Sequence, residues 1–250
     1  LSLPLQIYLN PFLLKLLFLL LNTWILSHKP DTLKTPLSIR GNIQLTNNAI
    51  SPVPAFTLGK PALLTTLYLQ KGRFAFHPEF NFDLEAKPWS VNTWVRYQII
   101  QQKKWDFTLG NNFSLFFKKN NPALTKEEYQ LQRYQAFEFN LGYHITSMRG
   151  VNLMYWKSQS LDEVGIKNGL FIMLVGQIGD LWNGKNIRLS IRPSLFVIKN
   201  TAPFTGYFTS QISTLYLKKT PFNLSYQTVH PLHTEPKSKF NWNVGLNFQF

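Results

Sequence analysis

The chain has 250 residues, a formal net charge of +14 and no cysteine, and the missing thiols exclude disulfide scaffolds and thiolate metal sites. Charged residues make up 15% of the sequence, against about 25% in an ordinary soluble domain, and aromatic residues make up another 15%; a disordered basic tail would contain few aromatic residues and is excluded. The 26 basic residues are scattered, often in short turns, and form no basic helical stripe, so the sequence predicts no nucleic-acid partner.

The first predicted element is a signal peptide or export segment over residues 1–30. Residues 12–21 read FLLKLLFLLL, and an apolar run of about ten residues is typical of a signal peptide rather than a spanning helix. Every acidic residue lies at or beyond Asp31. Residue 1 is not Met and no small-x-small cleavage motif ends at Ser27, so an N-terminal membrane anchor remains the alternative.

From Pro36 to Phe250 the apolar residues recur every second position, which indicates strands with two different faces. The last strand shows this most clearly, because five apolar residues alternate there with Asn, Gly and Gln. These five are Trp242, Val244, Leu246, Phe248 and Phe250. Twelve strands are predicted, over residues 36–46, 62–70, 73–83, 90–100, 105–117, 132–146, 150–157, 167–177, 186–198, 207–217, 222–230 and 240–250.

The connections between these strands alternate between long and short. The predicted short turns include 70–72 and 147–149, whereas 47–61 and 118–129 are long; residues 178–185 form a longer connection where a short turn is expected. Long loops at one end and tight turns at the other are typical of an outer-membrane barrel. An even number of strands then places both ends of the barrel on the short-turn, periplasmic side.

The two faces of the strands match a membrane barrel. One face carries Leu, Ile, Val and Phe, with Trp near strand ends, and the other carries Asn, Gln, Ser, Thr and isolated charges. The predicted fold class is therefore all-β: one up-and-down antiparallel transmembrane β-barrel of about 12 strands, formed by residues 36–250.

The terminal WNVGLNFQF, with alternating apolar residues back from Phe250, resembles the assembly signal of Gram-negative outer-membrane β-barrel proteins. The resemblance extends over residues 36–250 and is closest to the roughly twelve-stranded barrels of uncharacterised function. It implies integration into the bacterial outer membrane, with membrane lipid and the barrel assembly machinery as partners and other envelope proteins as further candidates. No cofactor and no metal site is expected, because the five His residues are scattered.

Eight polar residues have the phase of the inner face and are the candidate lumen-lining residues. Arg96 is expected to pair with Glu79 or Asp83 on the neighbouring strand. The full set is Arg40, Arg96, Arg188, Arg192, Glu79, Asp83, Glu138 and His144. These charges predict either a constriction that selects solutes by sign or a lumen closed by paired charges, since twelve strands lie between filled and open barrels.

Three local patterns add alternatives. His144 and Thr146 have the two-residue spacing of the His and Ser in barrel phospholipases, but a polar lumen histidine is the simpler interpretation. His77, beside Pro78, is expected on the apolar face. Residues 170–175, LFIMLV, are apolar on both faces; this predicts packing against residues 178–185 folded inward or against a partner protein, or else an apolar wall for a ligand.

The sequence therefore supports three functions. The first is a narrow channel or uptake barrel for small solutes, with inward arginines favouring anions. The second is a non-conducting structural or accessory barrel of an envelope assembly. The third, which the sequence supports least, is a lipid-modifying enzyme.

Overall fold

The computed structural model divides the chain into two units, Leu1–Pro36 and Leu37–Phe250. It describes residues 35–119, 129–163, 165–200 and 204–250. The predicted export segment, residues 1–30, lies outside the described residues. Within the described ranges, no helix is long and apolar enough to cross a membrane.

Twelve antiparallel strands of the described part form one closed barrel, in which each strand pairs with its neighbours in the chain and the last pairs with the first. This confirms the predicted fold class. The strands are β1 Ser38–Thr46, β2 Ala62–Lys71, β3 Phe74–Asp83, β4 Pro88–Gln101, β5 Trp105–Lys119, β6 Tyr129–His144, β7 Arg149–Ser160, β8 Gly169–Asn183, β9 Ile187–Asn200, β10 Phe204–Leu217, β11 Phe222–Glu235 and β12 Asn241–Gln249.

The barrel has a short-turn end and a long-loop end. At the short-turn end the strands are joined by residues 72–73, 102–104, 145–148, 184–186 and 218–221, so no turn exceeds four residues. The longest connection, residues 47–61, lies at the other end between β1 and β2, and we call it loop L1. It contains a short 3-10 helix, Pro54–Phe56.

Two predicted connections are wrong, because strands continue through them. Residues 178–183 belong to β8, and the pairing of β8 with β9 is irregular between Ile178 and Trp182, which hides the two-residue period in the sequence. Residues 231–235 belong to β11, where the register with β10 shifts beside Pro231. A proline is tolerated in a strand at such a bulge, so it did not end β11.

The barrel is polar inside and apolar outside, the reverse of a soluble protein. On β12, Asn243 and Asn247 are buried, whereas Trp242, Val244 and Leu246 are exposed. The same alternation holds on β6, where Glu138 is buried and Phe137 and Phe139 are exposed. An apolar outer surface on a closed sheet is what a hydrocarbon environment requires, because closure leaves no unpaired strand edge.

The seam between β1 and β12 is closed by backbone hydrogen bonds and by one ring. Gly41 and Phe250 exchange two bonds, N–H to O=C, of 2.7 and 3.1 Å. The Phe250 ring lies over Gly41, where any Cβ would overlap it. The ring thereby covers a point of the outer surface that has no side chain of its own, and Phe250 is one of the residues of the predicted assembly signal.

We predict that Gly41→Val destabilises the barrel by about 2 kcal/mol, the usual cost of forcing a side chain into an occupied site. The Phe250 ring has to leave the seam to make room. Urea unfolding of the protein in lipid vesicles measures the change. Ile39→Val, two residues away on the same outer face, is the matched control; equal midpoints for the two variants would show that the ring contact contributes nothing.

Candidate functional site

A cavity of about 610 Å³ occupies the lumen at the short-turn end. Three of the predicted lumen residues line it: Arg40 from β1, and Arg188 and Arg192 from β9. The rest of its wall is mostly amide and hydroxyl side chains from β10, β11 and β12, and its lining contains no Asp or Glu side chain. We call this cavity the arginine chamber.

The three guanidinium groups of the arginine chamber are available to a solute. None of them forms a salt bridge with a residue in the described ranges. Arg40 and Arg192 are exposed, and Arg188 lies over the ring of Tyr216, 4.3 Å from its centroid. Arg40 and Arg192 both interact electrostatically with Tyr68 on β2, as does Glu79 of β3, so positive charge from β1 and β9 and negative charge from β3 act on the same point of the lumen.

Arg96 does not pair with Glu79 or Asp83 as predicted. Its Nε donates to Oε2 of Glu138 at 2.5 Å, and its guanidinium carbon lies 4.3 Å from the centroid of the Trp94 ring. The side chain of Glu138 is fully buried and also accepts a 3.2 Å bond from Nε1 of Trp156.

The reason for this partner is visible at Gly110, which lies between Arg96 and Glu138 on the intervening strand β5. A side chain at Gly110 would overlap the Glu138 carboxylate, so glycine leaves the space through which Arg96 reaches two strands away. An expectation based on adjacent strands could not find this pair.

Glu79 and Asp83 face the lumen with other partners. Glu79 accepts a 3.1 Å hydrogen bond from Nδ2 of Asn92 on β4. Asp83, at the long-loop end of β3, forms an ion pair with Lys60 of loop L1. Asp83 therefore fixes the base of L1.

His77 also faces the lumen, which corrects the expectation that it lies on the apolar face. It pairs with Trp94 in the β3–β4 register, and its Nδ1 accepts a 2.7 Å bond from Nη1 of Arg96. Its ring meets Tyr68 edge-on at 4.8 Å between centroids. The alternation along β3 indicated an inward side chain, because His77 occupies an odd-numbered position, as the inward Glu79 and Asp83 do.

His144 lies at the short-turn end of β6, and its Nε2 forms a hydrogen bond with Oδ1 of Asp106 on β5. The hydroxyl of Thr146 accepts hydrogen bonds from the backbone N–H groups of Met148 and Arg149, at 3.2 and 3.1 Å, within the turn. The His144 ring and the Thr146 hydroxyl thus bond to separate structural partners. Within the described ranges, no group of three or more His, Asp or Glu side chains is arranged to hold a metal ion.

A second cavity, of about 350 Å³, lies at the long-loop end. Aromatic rings are the largest side chains in its lining, which also contains amide, hydroxyl and aliphatic side chains. We call it the aromatic chamber, and its rings are Phe56, Trp89, Trp94, Phe116, Tyr134, Trp156 and Phe171. Asn42 and Gln44 line both cavities, so the two chambers meet beside β1.

Loop L1 folds into the barrel and forms part of the aromatic chamber. The Phe56 ring stacks on Phe116 with 4.2 Å between centroids, and the Phe56 carbonyl accepts a 3.1 Å bond from Nε1 of Trp89. Sequence reasoning did not predict this inward fold. The sequence of L1 could have predicted it, because Val53 and Phe56 stand among prolines in a loop. Apolar residues in an outer loop need a surface that covers them.

The inward fold of L1 explains the doubly apolar residues 170–175. Phe171 on β8 belongs to a buried cluster with Ile50 of L1, and Met173 and Val53 pack against it. The segment therefore packs against L1 rather than against residues 178–185. Leu170 and Phe171 also line the aromatic chamber, so the apolar wall for a ligand stays a prediction. Met154 and Trp156 of β7 face the same cluster.

A second loop braces the aromatic chamber. In the β7–β8 connection, Asp162 accepts bonds of 2.6 Å from the backbone N–H and from Nη2 of Arg133. The Arg133 guanidinium holds the pKa of the Asp162 carboxyl below its usual value. Ile166 of the same connection lines the chamber, and its N–H donates to the hydroxyl of Tyr134 at 3.3 Å.

No protein-family model matches the sequence, and no curated protein matches it. Among solved structures, the KdgM porin in complex with disordered oligogalacturonate is similar, with a TM-score of 0.50 at 14% identity over 85% of this chain and 98% of that one. An outer membrane channel from Pseudomonas putida F1 gives a TM-score of 0.49 at 12% identity over 89% of this chain and 98% of that one.

These likenesses concern the fold. The closed twelve-stranded sheet, its apolar outer surface and the fold shared with the KdgM porin structure confirm that the chain is an integral outer-membrane β-barrel, as the resemblance implied.

We predict that Glu138→Leu alone lowers the free energy of unfolding by about 3 kcal/mol, because it leaves Arg96 without its buried partner. The double variant Arg96→Met with Glu138→Leu removes both charges and should recover most of that loss. Urea titration in vesicles measures all three proteins. Asp162→Ala, at an exposed pair, is the control and should cost much less than Glu138→Leu; a double variant as unstable as the single one would contradict the interpretation.

Proposed function

We propose that the barrel is a narrow uptake channel for small anionic solutes. The observation that carries this proposal is the arginine chamber, in which Arg40, Arg188 and Arg192 face a cavity of about 610 Å³ whose lining contains no Asp or Glu side chain. Fixed guanidinium groups in a cavity whose own lining holds no acid create a positive potential there, which raises the local concentration of anions and disfavours cations.

The arrangement of the charges supports selection rather than stability. Where the lumen uses charge for structure, it uses pairs: Arg96 with Glu138, and Lys60 with Asp83. The arginines of the chamber lack such partners among the described residues and face amide and hydroxyl groups that replace water around a passing ion. Arginine also suits the task chemically, since its planar fork binds carboxylate and phosphate groups through two hydrogen bonds.

The volumes of the two cavities limit the size of the solute. The aromatic chamber, at about 350 Å³, is the smaller of the two cavities, so small molecules or extended chains fit the route better than globular ones. Oligogalacturonate, the acidic polymer in the similar porin structure, is therefore a suitable test solute beside chloride and phosphate.

We predict that the protein in planar bilayers conducts chloride in preference to potassium, and that Arg40→Gln with Arg188→Gln and Arg192→Gln removes this preference. The reversal potential in a KCl gradient measures the permeability ratio. Arg149→Gln is the matched control, because Arg149 lies at the same end of the barrel but is paired with Asp180 on the outer surface. A triple variant that keeps the parent ratio would exclude the arginines as the selective element.

One observation favours the second candidate, a non-conducting accessory barrel. Loop L1 fills part of the lumen, and its Ile50 and Val53 join a buried apolar cluster with Phe171 and Phe196. Such packing is typical of a plug held in place. The two functions differ in whether L1 leaves a continuous water path past the aromatic chamber.

We predict that Phe56→Ala increases single-channel conductance, because it removes the ring stacked on Phe116 and widens the aromatic chamber. Single-channel recordings in planar bilayers measure the change. Phe240→Ala, in the β11–β12 connection at the same end of the barrel, is the control that removes a ring outside this chamber. Absence of channel events in both the parent and the Phe56 variant, with folded protein, would favour the accessory barrel.

A further inference from the structure

Basic side chains surround the short-turn end of the barrel. Each of the five tight turns contains a Lys or Arg residue or adjoins one. Five of these residues are exposed lysines that come from four different turns, so they are spread around the circumference. We call them the lysine rim: Lys71, Lys103, Lys104, Lys185 and Lys219.

The positive charge of the lysine rim is not neutralised by the protein. Within the described ranges, no ion pair and no side-chain hydrogen bond involves any of its five ammonium groups. In the same part of the chain, two acidic residues lie at this end, and both have other partners: Asp106 bonds to His144, and Asp180 bonds to Arg149. The counter-charge of the rim therefore comes from outside these residues.

A belt of outward aromatic rings lies beside the lysine rim. Phe74, Trp105 and Phe222 are the first residues of β3, β5 and β11, and Trp182 is the next-to-last residue of β8. All four are exposed, and Tyr143 extends the belt by contacting Trp105 with 4.6 Å between ring centroids. Outward aromatic rings at strand ends favour the membrane interface, so this aromatic belt marks the headgroup level at the short-turn end.

The lysines stand at the height of the aromatic belt or just beyond it. Lys71 pairs directly with Phe74 in the β2–β3 register, and Lys104 immediately precedes Trp105. The other three lysines lie at most three residues from the nearest ring of the belt, which is about 10 Å at the rise of a strand. A lysine side chain is long and flexible, so its charge can return toward the interface from that distance.

We infer that the lysine rim binds the phosphate groups of anionic phospholipids in the leaflet that faces the periplasm. The short turns of outer-membrane barrels lie on the periplasmic side, where the leaflet consists of phospholipid. Each ammonium group near an anionic membrane surface adds to the attraction and offers three N–H donors to phosphate oxygens. An acidic soluble partner would not account for the outward rings beside the lysines, which require an apolar medium. The inference concerns the outer rim and does not depend on the proposed channel.

A fluorophore placed in the rim tests which lipid lies beside it. A small thiol-reactive fluorophore is attached to Gln102→Cys, an exposed site next to Lys103 in a chain without native cysteine. The labelled full chain is folded into phosphatidylcholine vesicles that contain a small fraction of nitroxide-labelled phosphatidylglycerol or phosphatidylcholine, with the nitroxide near the headgroup. We expect phosphatidylglycerol to quench the fluorophore about two-fold more strongly, and the preference to fall at high salt.

Replacement of all five lysines of the rim by Gln in the labelled chain should abolish this preference. The matched control removes the same charge from five exposed lysines at the long-loop end, and it should leave the preference unchanged. These lysines are Lys118, Lys157, Lys199, Lys237 and Lys239.

A second control removes charge from the lumen rather than from the rim. Arg40→Gln with Arg188→Gln and Arg192→Gln should also keep the lipid preference, because these side chains line the arginine chamber. Equal quenching of the parent chain by the two lipids would overturn the inference. A preference that survives in the rim variant, or that is lost in either control, would overturn it as well.

Discussion

The backbone of this protein has to satisfy its own hydrogen bonds inside a medium that offers none. A closed sheet is the arrangement that does so with strands, because every N–H and C=O within the hydrocarbon finds a partner on a neighbouring strand. Closure depends on the pairing of β1 with β12, where Gly41 and Phe250 exchange two backbone bonds beneath the Phe250 ring. Once the sheet is closed, each successive residue points alternately to lipid or to the lumen.

The lumen that closure creates is organised in layers. Guanidinium groups without acidic neighbours line the short-turn end, the buried Arg96–Glu138 pair crosses the β4–β6 wall, and aromatic rings with loop L1 occupy the long-loop end. The paired charges cost little once they are joined and hydrogen-bonded, whereas unpaired ones require water or a solute. The distribution of paired and unpaired charge therefore separates structural residues from those that can act on a passing molecule.

The two-residue period of the sequence was sufficient for the fold, because it repeats a local rule twelve times. It predicted the inward phase of Arg40, Arg188 and Arg192 for the same reason. It failed wherever a contact joins residues distant in the chain: Arg96 reaches Glu138 across β5, and Ile50 of L1 packs against Phe171 of β8. Local irregularities also misled it, since the bulge beside Pro231 and the irregular pairing near Ile178 imitate loops. Non-adjacent contacts are set by barrel curvature and loop folding, which alternation does not encode.

The inward fold of L1 makes the two mouths of the barrel unlike each other. In the proposed channel, a solute entering from the short-turn end meets the arginine chamber first and the smaller aromatic chamber second, and one entering from the long-loop end meets them in the reverse order. An anion would thus be concentrated before the aromatic chamber in one direction and only after it in the other. A channel built in this way would rectify: equal and opposite voltages would drive unequal currents, and the polarity of the larger current would report which mouth faces the electrode.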